Sequence, residues 1–351
     1  MAKLIKIIID KDNSFPQRQD EVLSESSKLK YFSACKDDCL QIDKESLVPN
    51  TSICFNLFRQ DGMNIGIVAK ANANNPFIIT DDFLSKVSNP RCAVLIERSA
   101  IPVYKDYLNS VANAPSLSDK ERFERNTIVF KENTKILMKE LLENPRSGEK
   151  IKQAKKAVDT IIGLLIDNKD ALRKMLTLSR YDYYTYTHCL NVATLSIGLG
   201  LELRLSKNET GDLGIGAMMH DIGKSQIPAE ILNKQGRLDE LEYKRIQEHV
   251  KIGEDILRSS EEFPAEALPA VLQHHEKLSG NGYPYALRGD NIKLFGRICA
   301  VADCYDALTT ERAYKKAFIP YEALTIIARE TAHFDVHILK TFVKMLGNIH
   351  E

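Results

Sequence analysis

The sequence predicts an α+β protein in which a small β-rich N-terminal domain precedes an all-α helical bundle. Short apolar runs that alternate or break at turn residues occupy roughly the first hundred residues, whereas apolar residues recur at helical spacing from about Ser118 onward. All eight histidines lie between His188 and His350, so any histidine-based chemistry belongs to the helical part. A chain of 351 residues is longer than one small core requires, and two domains are expected.

Short apolar runs predict the strands of the N-terminal domain, which we place at residues 1–117. These runs are Lys3–Ile9, Thr51–Phe58, Met63–Ala69 and Cys92–Glu97. Asp61-Gly62 lies between two of them and indicates a hairpin turn. Ile101-Pro102 predicts a break after the last strand. No catalytic constellation is found here, so a regulatory domain, an oligomerisation module and a structural cap all stay open.

Helical spacing begins where Ser118 precedes Asp119 and Glu121, a pattern typical of an N-cap followed by an acidic first turn. We interpret residues 118–148 as a helical linker that transmits a signal, contacts signalling proteins, forms a homodimer or simply packs. The remaining residues, 149–351, form the second domain. Its predicted helices are Glu149–Asp167, Asp182–Leu203, Glu209–Asp221, Asp239–Ser259, Pro264–His275, Asn291–Thr309, Pro320–Thr331 and Asp335–Leu346.

The charge balance excludes overall electrostatic attraction as the basis of function. The 48 Lys and Arg residues are matched by 48 Asp and Glu, so no basic excess would attract a nucleic-acid polymer or an anionic membrane surface. The first ten residues are too short and too charged for a secretory signal, and no run of about eighteen apolar residues follows. The seven cysteines form no CxxC framework. We therefore expect a cytoplasmic protein without membrane insertion.

Histidines and aspartates from separate helices indicate a metal centre. The candidates are His188, His220, His249, His274, His275, Asp221 and Asp303. Burying these groups among apolar residues without partners would be costly, whereas shared coordination of a cation satisfies them together. Because they exceed what one ion needs and a carboxylate can bridge, the sequence predicts two divalent ions. We favour iron, with manganese or another divalent metal as the alternative.

Three blocks resemble the signature motifs of the HD-GYP family, which are metal-dependent phosphohydrolases that cleave cyclic di-GMP. The blocks are His220-Asp221-Ile222-Gly223-Lys224, His274-His275-Glu276 running on to Gly282-Tyr283-Pro284, and Val301-Ala302-Asp303-Cys304-Tyr305-Asp306-Ala307-Leu308-Thr309. The resemblance covers roughly residues 150–351. It implies an HD-type helical bundle and a phosphodiesterase acting on cyclic di-GMP.

The resemblance also implies a role for each matched residue. One ion would be held by His188, His220, Asp221 and Asp303, and the second by His249, His274 and His275 with Asp221 bridging. A hydroxide between the ions would attack the phosphate, giving linear pGpG and, after further hydrolysis, GMP. Asp221 and Lys224 would be the catalytic pair, with Lys224 also contacting the scissile phosphate. The other implied substrate contacts are Gly282, Tyr283, Pro284, Arg312, Lys315 and Asp306, the last of which would either touch substrate or support a ligand.

Two positions depart from the family pattern. Tyr184 stands where some members have a glutamate that holds a third metal, and Ser279 replaces an aspartate before the first glycine of the GYP block. A phenol is a poor ligand at neutral pH because its pKa is near 10, so we expect two ions. Two alternatives remain: a weakly active or inactive cyclic-dinucleotide-binding signalling module, and a hydrolase of another cyclic dinucleotide such as cyclic GMP-AMP.

Overall fold

The chain forms two compact units, residues 1–132 and 133–351. The computed structural model describes residues 39–350 except 62–63, 90–91, 116, 169–170, 178–184, 233, 235, 311–316 and 331. The predicted strand Lys3–Ile9 lies outside the described residues. Helix α3 (Asp119–Glu143) contains the division between the units, inside the segment interpreted as a linker.

The described strands of the first unit, in chain order, are β1 (Cys39–Ile42), β2 (Ser52–Ile53), β3 (Leu57–Asp61), β4 (Asn64–Ala69), β5 (Phe77–Ile78) and β6 (Cys92–Glu97). The unit is organised around a four-stranded antiparallel sheet with the order β1-β6-β3-β4. Strands β3 and β4 form the predicted hairpin, and β6 has the bounds expected from the sequence. Strands β2 and β5 pair separately, outside this sheet.

The predicted strand Thr51–Phe58 is wrong, because the alternation of Ile53, Phe55 and Leu57 has another cause. Ile53 belongs to β2 and Leu57 to β3, while the ring of Phe55 packs edge-on against Tyr104 at 5.7 Å between centroids. The three side chains are buried, with 1%, 3% and 0% exposure respectively, yet no single strand carries them. The alternation of apolar residues that predicted a strand therefore reflects burial of these three side chains and not one continuous strand.

Two helices of the first unit were not predicted, α1 (Asp81–Val87) and α2 (Ile101–Ala112). Proline lacks a backbone donor but is well tolerated in a first helical turn, so Ile101-Pro102 begins a helix where the sequence suggested only a break. Cys39 is disulfide-bonded, a link that the cysteine spacing did not predict.

The regular secondary structure of the second unit, in the part of the chain that the structure describes, is helical. Its α-helices after α3 are α4 (Gly148–Asp167), α5 (Ala171–Thr177), α6 (Thr185–Glu202), α7 (Lys207–Met218), α8 (Ala229–Leu232), α9 (Glu240–Gln247), α10 (His249–Arg258), α11 (Leu268–Gln273), α12 (Leu294–Thr309), α13 (Pro320–Arg329) and α14 (Val336–His350). The predicted α+β class with a helical bundle is confirmed. No helix within the described ranges has both the length and the apolar character needed to cross a bilayer.

Helix α6 lies at the centre of the bundle. Every residue from Tyr186 to Gly200 is buried, and the helix packs against α4, α5, α7, α12 and α14. A helix that is buried on all sides must be surrounded by other helices, which explains its mostly apolar sequence. The buried polar residues of this helix include His188 and Asn191. Its neighbours α7 and α12 deliver further side chains to the same end of the bundle.

Helix ends position the histidines of the bundle. Helix α7 stops at Met218, so His220 and Asp221 lie in the turn before a 3-10 helix, Ile222–Gln226, rather than inside the predicted helix Glu209–Asp221. The predicted helix Asp239–Ser259 is divided at Glu248, which makes His249 the first residue of α10. His274 and His275 follow α11 directly, as the glycines and proline beyond them indicated.

Candidate metal centre

The seven predicted metal-ligating side chains converge at one end of the helical unit. Their donor atoms form two groups, and all atoms within a group lie within 4.8 Å of one another. The first group is His188, His220 and Asp303, and the second is Asp221, His249, His274 and His275. Their helices are far apart in sequence, so the cluster exists only in the folded bundle.

Three of the histidines are oriented by the backbone. Nδ1 of His220, His249 and His274 lies 2.7, 2.6 and 2.8 Å, respectively, from the carbonyl oxygen three residues earlier in the chain. A carbonyl can only accept a hydrogen bond, so each Nδ1 carries the proton and donates. The Nε2 atoms consequently present lone pairs to the interior of the cluster.

His249 and His274 face each other through those lone pairs, with 3.4 Å between their Nε2 atoms. Burial, only partly offset by the Asp221 carboxylate, lowers the pKa of His249 to about 4. Burial and the neighbouring His275 ring hold the pKa of His274 well below its ordinary value. Neither ring therefore supplies a proton to the other near neutral pH, and a cation between the two nitrogens would satisfy both lone pairs.

Asp221 presents one carboxylate oxygen to each group. Its side chain is fully buried, and among the residues that the structure describes Oδ1 accepts no hydrogen bond, although His249 Nε2 is 3.3 Å away. Oδ2 lies 3.6 Å from His188 Nε2 and 3.4 Å from His220 Nε2. Burial opposes the negative charge, but Lys224 and His220 outweigh it and hold the Asp221 pKa well below its usual range. An ionised carboxylate with an unsatisfied buried oxygen between two imidazole groups is suited to bridge two ions.

His188 is supported differently, because it lies between two carboxylates of α12. Its Nε2 is 3.1 Å from Asp303 Oδ1, and its Nδ1 is 2.7 Å from Asp306 Oδ2. Burial disfavours a charged imidazole, yet hydrogen bonds to Asp303 and Asp306 raise the His188 pKa well above its ordinary value. A metal ion would take the place of the Nε2 proton and leave the Nδ1 contact intact.

Asp306 supports this ligand instead of facing solvent. It is 4% exposed, and its second oxygen, Oδ1, accepts a hydrogen bond of 2.8 Å from Asn191 Nδ2. With both oxygens engaged, the geometry favours the supporting role over substrate contact, the other role considered for this residue. The donor set as a whole, imidazole nitrogens with ionised carboxylates, fits divalent transition-metal ions.

Gly223 allows two ligands of the second group, Asp221 and His249, to approach each other. A Cβ atom at this position would lie 1.9 Å from the carbonyl oxygen of His249 and 2.6 Å from the amide nitrogen of Gly253. Only glycine lets the 3-10 helix after Asp221 pack this closely on the first turn of α10. The packing places His249 beside Asp221.

The Gly282-Tyr283-Pro284 loop forms a wall beside the second group. The ring of Tyr283 stacks on His275 with 4.6 Å between centroids, and the Tyr283-Pro284 peptide is cis. At Gly282 a Cβ would lie 2.4 Å from the Cα of Glu276, so the loop lies directly against the backbone that carries the histidine pair. The predicted substrate loop therefore packs directly against the predicted ligand His275 and the backbone that follows it.

Lys224 lies in the 3-10 helix with 19% of its side chain exposed, and its Nζ donates to Asp221 Oδ2 at 2.5 Å. Its charge is therefore at the edge of the cluster, where a phosphate could approach. Arg312 and Lys315, the other predicted cationic contacts, lie outside the described residues, as does Tyr184, on which the choice of two ions over three depended.

Two functional side chains were not singled out from the sequence. Asn191 was available as a polar residue three positions after His188 in an apolar helix, but its partner Asp306 is 115 residues away. Glu276 belongs to a motif block without an assigned role, and its buried carboxylate accepts hydrogen bonds from the backbone of Tyr285 at 2.7 Å and Leu287 at 2.9 Å. It holds the end of the GYP loop in place.

Comparison with characterised proteins reveals relatives that match part of the chain. A cyclic di-GMP phosphodiesterase of Pseudomonas aeruginosa is 34% identical over 209 residues, which cover 59% of this chain and 50% of that protein. A 3'3'-cGAMP-specific phosphodiesterase of Vibrio cholerae is 39% identical over 150 residues, 43% of this chain and 32% of that protein. The chain thus spans half or less of the length of these curated relatives.

The fold and the family agree with the motifs. An HDG"Y"P protein from Bdellovibrio bacteriovorus has a similar fold, with a TM-score of 0.66 at 18% identity over 88% of this chain and 100% of that one. The relatives and this neighbour confirm the HD-GYP resemblance predicted from the sequence blocks. The family model described as "HD domain" matches residues 159–338, just over half of the chain. The chain therefore belongs to the HD-domain family.

Proposed function

We propose that this chain hydrolyses cyclic di-GMP at a centre of two divalent metal ions. The observation that carries the proposal is the pair of imidazole-rich groups that share the buried carboxylate of Asp221. Two ligand groups that share one carboxylate suit two ions bridged by that carboxylate, the arrangement used for in-line displacement at phosphorus. The name of the Pseudomonas relative supports the choice of substrate.

Two bound ions would supply Lewis acidity toward the phosphate oxygens and lower the pKa of a water molecule toward neutrality. The residues of the chain provide the rest. His249 and His274 stay neutral because they are buried, so their lone pairs remain available as ligands. Lys224 brings a positive charge to the edge of the cluster, where it would stabilise negative charge that develops on the phosphate. Tyr283 covers one face of His275 and limits the access of water from that side.

The products follow from the chemistry of the ring. Addition of water across one P–O3' bond opens cyclic di-GMP to linear pGpG, with the 5'-phosphate retained and a 3'-hydroxyl released. A second hydrolysis of the same bond type yields two GMP molecules. We expect iron to support turnover best and manganese to substitute for it, because imidazoles with carboxylates suit both ions.

Cyclic GMP-AMP is the second candidate substrate. A Vibrio cholerae relative that is 39% identical over 150 residues is named for specificity toward 3'3'-cGAMP. The two substrates share the phosphodiester ring and differ in one base, so the metal centre itself does not distinguish them. Comparing kcat/KM for cyclic di-GMP, 3'3'-cGAMP and cyclic di-AMP under identical metal loading decides between the two.

The direct test is turnover by the full chain prepared anaerobically and loaded with ferrous or manganous ions. Product is identified by chromatography, and the expected product is pGpG followed by GMP. His220→Ala and Asp221→Ala should abolish turnover, whereas His337→Ala, an exposed histidine on α14 outside both groups, should not change it. Tight nucleotide binding without product under every metal condition would overturn the proposal and favour a binding module.

A further inference from the structure

The histidines of the two groups are not supported equally. In His220, His249 and His274 the Nδ1 proton goes to a backbone carbonyl, whereas His188 Nδ1 contacts the Asp306 carboxylate at 2.7 Å. A carboxylate behind an imidazole makes the other ring nitrogen a stronger donor than a carbonyl does. Among the described histidines of the centre, only His188, in the first group, has a carboxylate in hydrogen-bond contact with its Nδ1.

Asp306 is itself held in place. Its Oδ1 accepts a 2.8 Å hydrogen bond from Asn191, which lies one turn beyond His188 on α6 and is 3% exposed. The Asn191 amide therefore fixes the carboxylate while His188 uses the other oxygen. The three side chains form one buried chain of hydrogen bonds between α6 and α12.

The charges of the two groups also differ. Asp303 Oδ1 is 3.1 Å from His188 Nε2, while its Oδ2 is 4.0 Å from His275 Nδ1 of the second group. Asp303 and Asp306 thus place two negative charges at the first group, against three imidazoles at the second, and Asp221 is shared. Lys224 opposes this, because its Nζ is 2.5 Å from the Asp221 oxygen that faces the first group. One positive charge offsets only one of the two carboxylates, so the first group stays the more negative.

We infer that the first group, His188, His220 and Asp303, binds its metal ion before the second group, and that Asn191 and Asp306 are positioning residues that establish this order. The inference rests on the two-ion centre of the proposed function. A singly loaded protein is then the main species when metal is scarce. Activity that needs both ions depends on the affinity of the second group alone.

A purely structural role predicts something else, since the same hydrogen bonds also join α6 to α12. If the hydrogen bonds served only to join the helices, removing them would lower the stability of the fold but would not change the metal affinity of one site relative to the other. The readout must therefore report each site separately, and a spectroscopic signature does so. A lone Mn²⁺ ion gives a six-line electron paramagnetic resonance spectrum, whereas two bridged ions give a spin-coupled one.

The experiment titrates the metal-stripped full chain with MnCl₂, followed by calorimetry and paramagnetic resonance. We expect two resolved binding steps, with the six-line signal growing during the first equivalent and the coupled signal replacing it during the second. Asp306→Asn should weaken the first step about 10- to 100-fold and leave the second nearly unchanged. Asn191→Ala should weaken the first step in the same direction by a smaller factor.

Thr194→Val serves as the matched control, because Thr194 is buried on α6 and its hydroxyl, as far as the described residues show, bonds within that helix, to the Leu190 carbonyl at 2.8 Å. It should leave both steps unchanged. Three outcomes would overturn the inference. The first is a spin-coupled signal from the first addition of metal, and the second is equal weakening of both steps in Asp306→Asn. The third is an unchanged first step in both Asp306→Asn and Asn191→Ala. If a variant does not fold, His249→Ala in its place should keep the first step intact and remove the second, and loss of the first step would overturn the order. Because metal binding is measured without nucleotide, the order of binding is tested whether or not the protein hydrolyses cyclic di-GMP.

Discussion

Replacing Gly223 by alanine tests how close backbone packing brings two ligands of the second group, Asp221 and His249, together. The added Cβ would lie 1.9 Å from the His249 carbonyl oxygen, and real contacts of this kind are not found below 3.0 Å, so the start of α10 must retreat by about 1 Å. The obstacle is backbone and cannot be relieved by a rotamer change. Overpacking of this kind costs about 1–3 kcal/mol of folding free energy.

The functional effect should exceed the effect on stability. His249 Nε2 lies 3.3 Å from Asp221 Oδ1, and a displacement of about 1 Å at this contact disturbs the second group of ligands. Misplacement of that size reduces catalysis by about 100-fold. We therefore expect Gly223→Ala to fold, to bind one ion per chain instead of two, and to lose about 100-fold in kcat with cyclic di-GMP.

Urea unfolding, elemental analysis and steady-state kinetics on the same preparation separate these effects. Gly211→Ala on α7 is the matched control, because nothing lies within 4 Å of a Cβ at that position. It should keep both ions and full turnover and raise the stability by up to about 1 kcal/mol. Normal metal content and normal kcat in Gly223→Ala would refute the argument from close packing.

Three further substitutions test the surroundings of the centre. Lys224→Gln should lower kcat about 100-fold with two ions still bound, because it removes phosphate stabilisation but no ligand; loss of metal by elemental analysis would contradict this. Glu276→Gln should lower the free energy of unfolding by about 1–3 kcal/mol in urea, since an amide has one acceptor oxygen for the two backbone donors of the GYP loop. Asp335→Ala removes the N-cap of α14 and an ion pair with Arg297, and should cost about 1 kcal/mol at pH 7. Partial burial opposes the charge of Asp335, but hydrogen bonds from Arg297 and the backbone hold its pKa below the unfolded value. The stabilisation is therefore complete above the unfolded carboxyl pKa and disappears as the pH falls through the lower folded one, so a difference in unfolding free energy between wild type and Asp335→Ala that does not shrink from pH 7 to pH 2 would rule this out.

Much of the helical unit was predictable because its signals are local. Ser118 caps α3 through reciprocal hydrogen bonds with Glu121, and the apolar stretch after His188 becomes the buried helix α6. The candidate ligands could also be named from the sequence, since the motif blocks place them at fixed positions. Their division into two groups around Asp221 is visible only in the structure, because it depends on how the helix ends meet.

The features that escaped prediction depend on distant partners. Phe55 imitates a strand position because it is buried against the aromatic rings of α2, about fifty residues further along the chain. Asn191 acquires its role only when α12 brings Asp306 next to it. A period or a motif within one segment carries no information about such contacts. The same limit applies to Gly223, where glycine is required because the backbone of α10 lies too close for a Cβ atom.

Because the lone pairs of His249 and His274 face each other 3.4 Å apart, we expect a bound ion to stabilise the folded chain. Each ion that binds the folded chain and not the unfolded one raises the free energy of unfolding by about 1.4 kcal/mol for each tenfold increase in free ion above the dissociation constant of its site. Melting curves recorded at several free Mn²⁺ concentrations should show this rise, and an invariant Tm would exclude it. In a cell, copies that fail to acquire metal would unfold more often and be degraded sooner. Metal scarcity would then reduce the number of molecules in addition to the activity of each one.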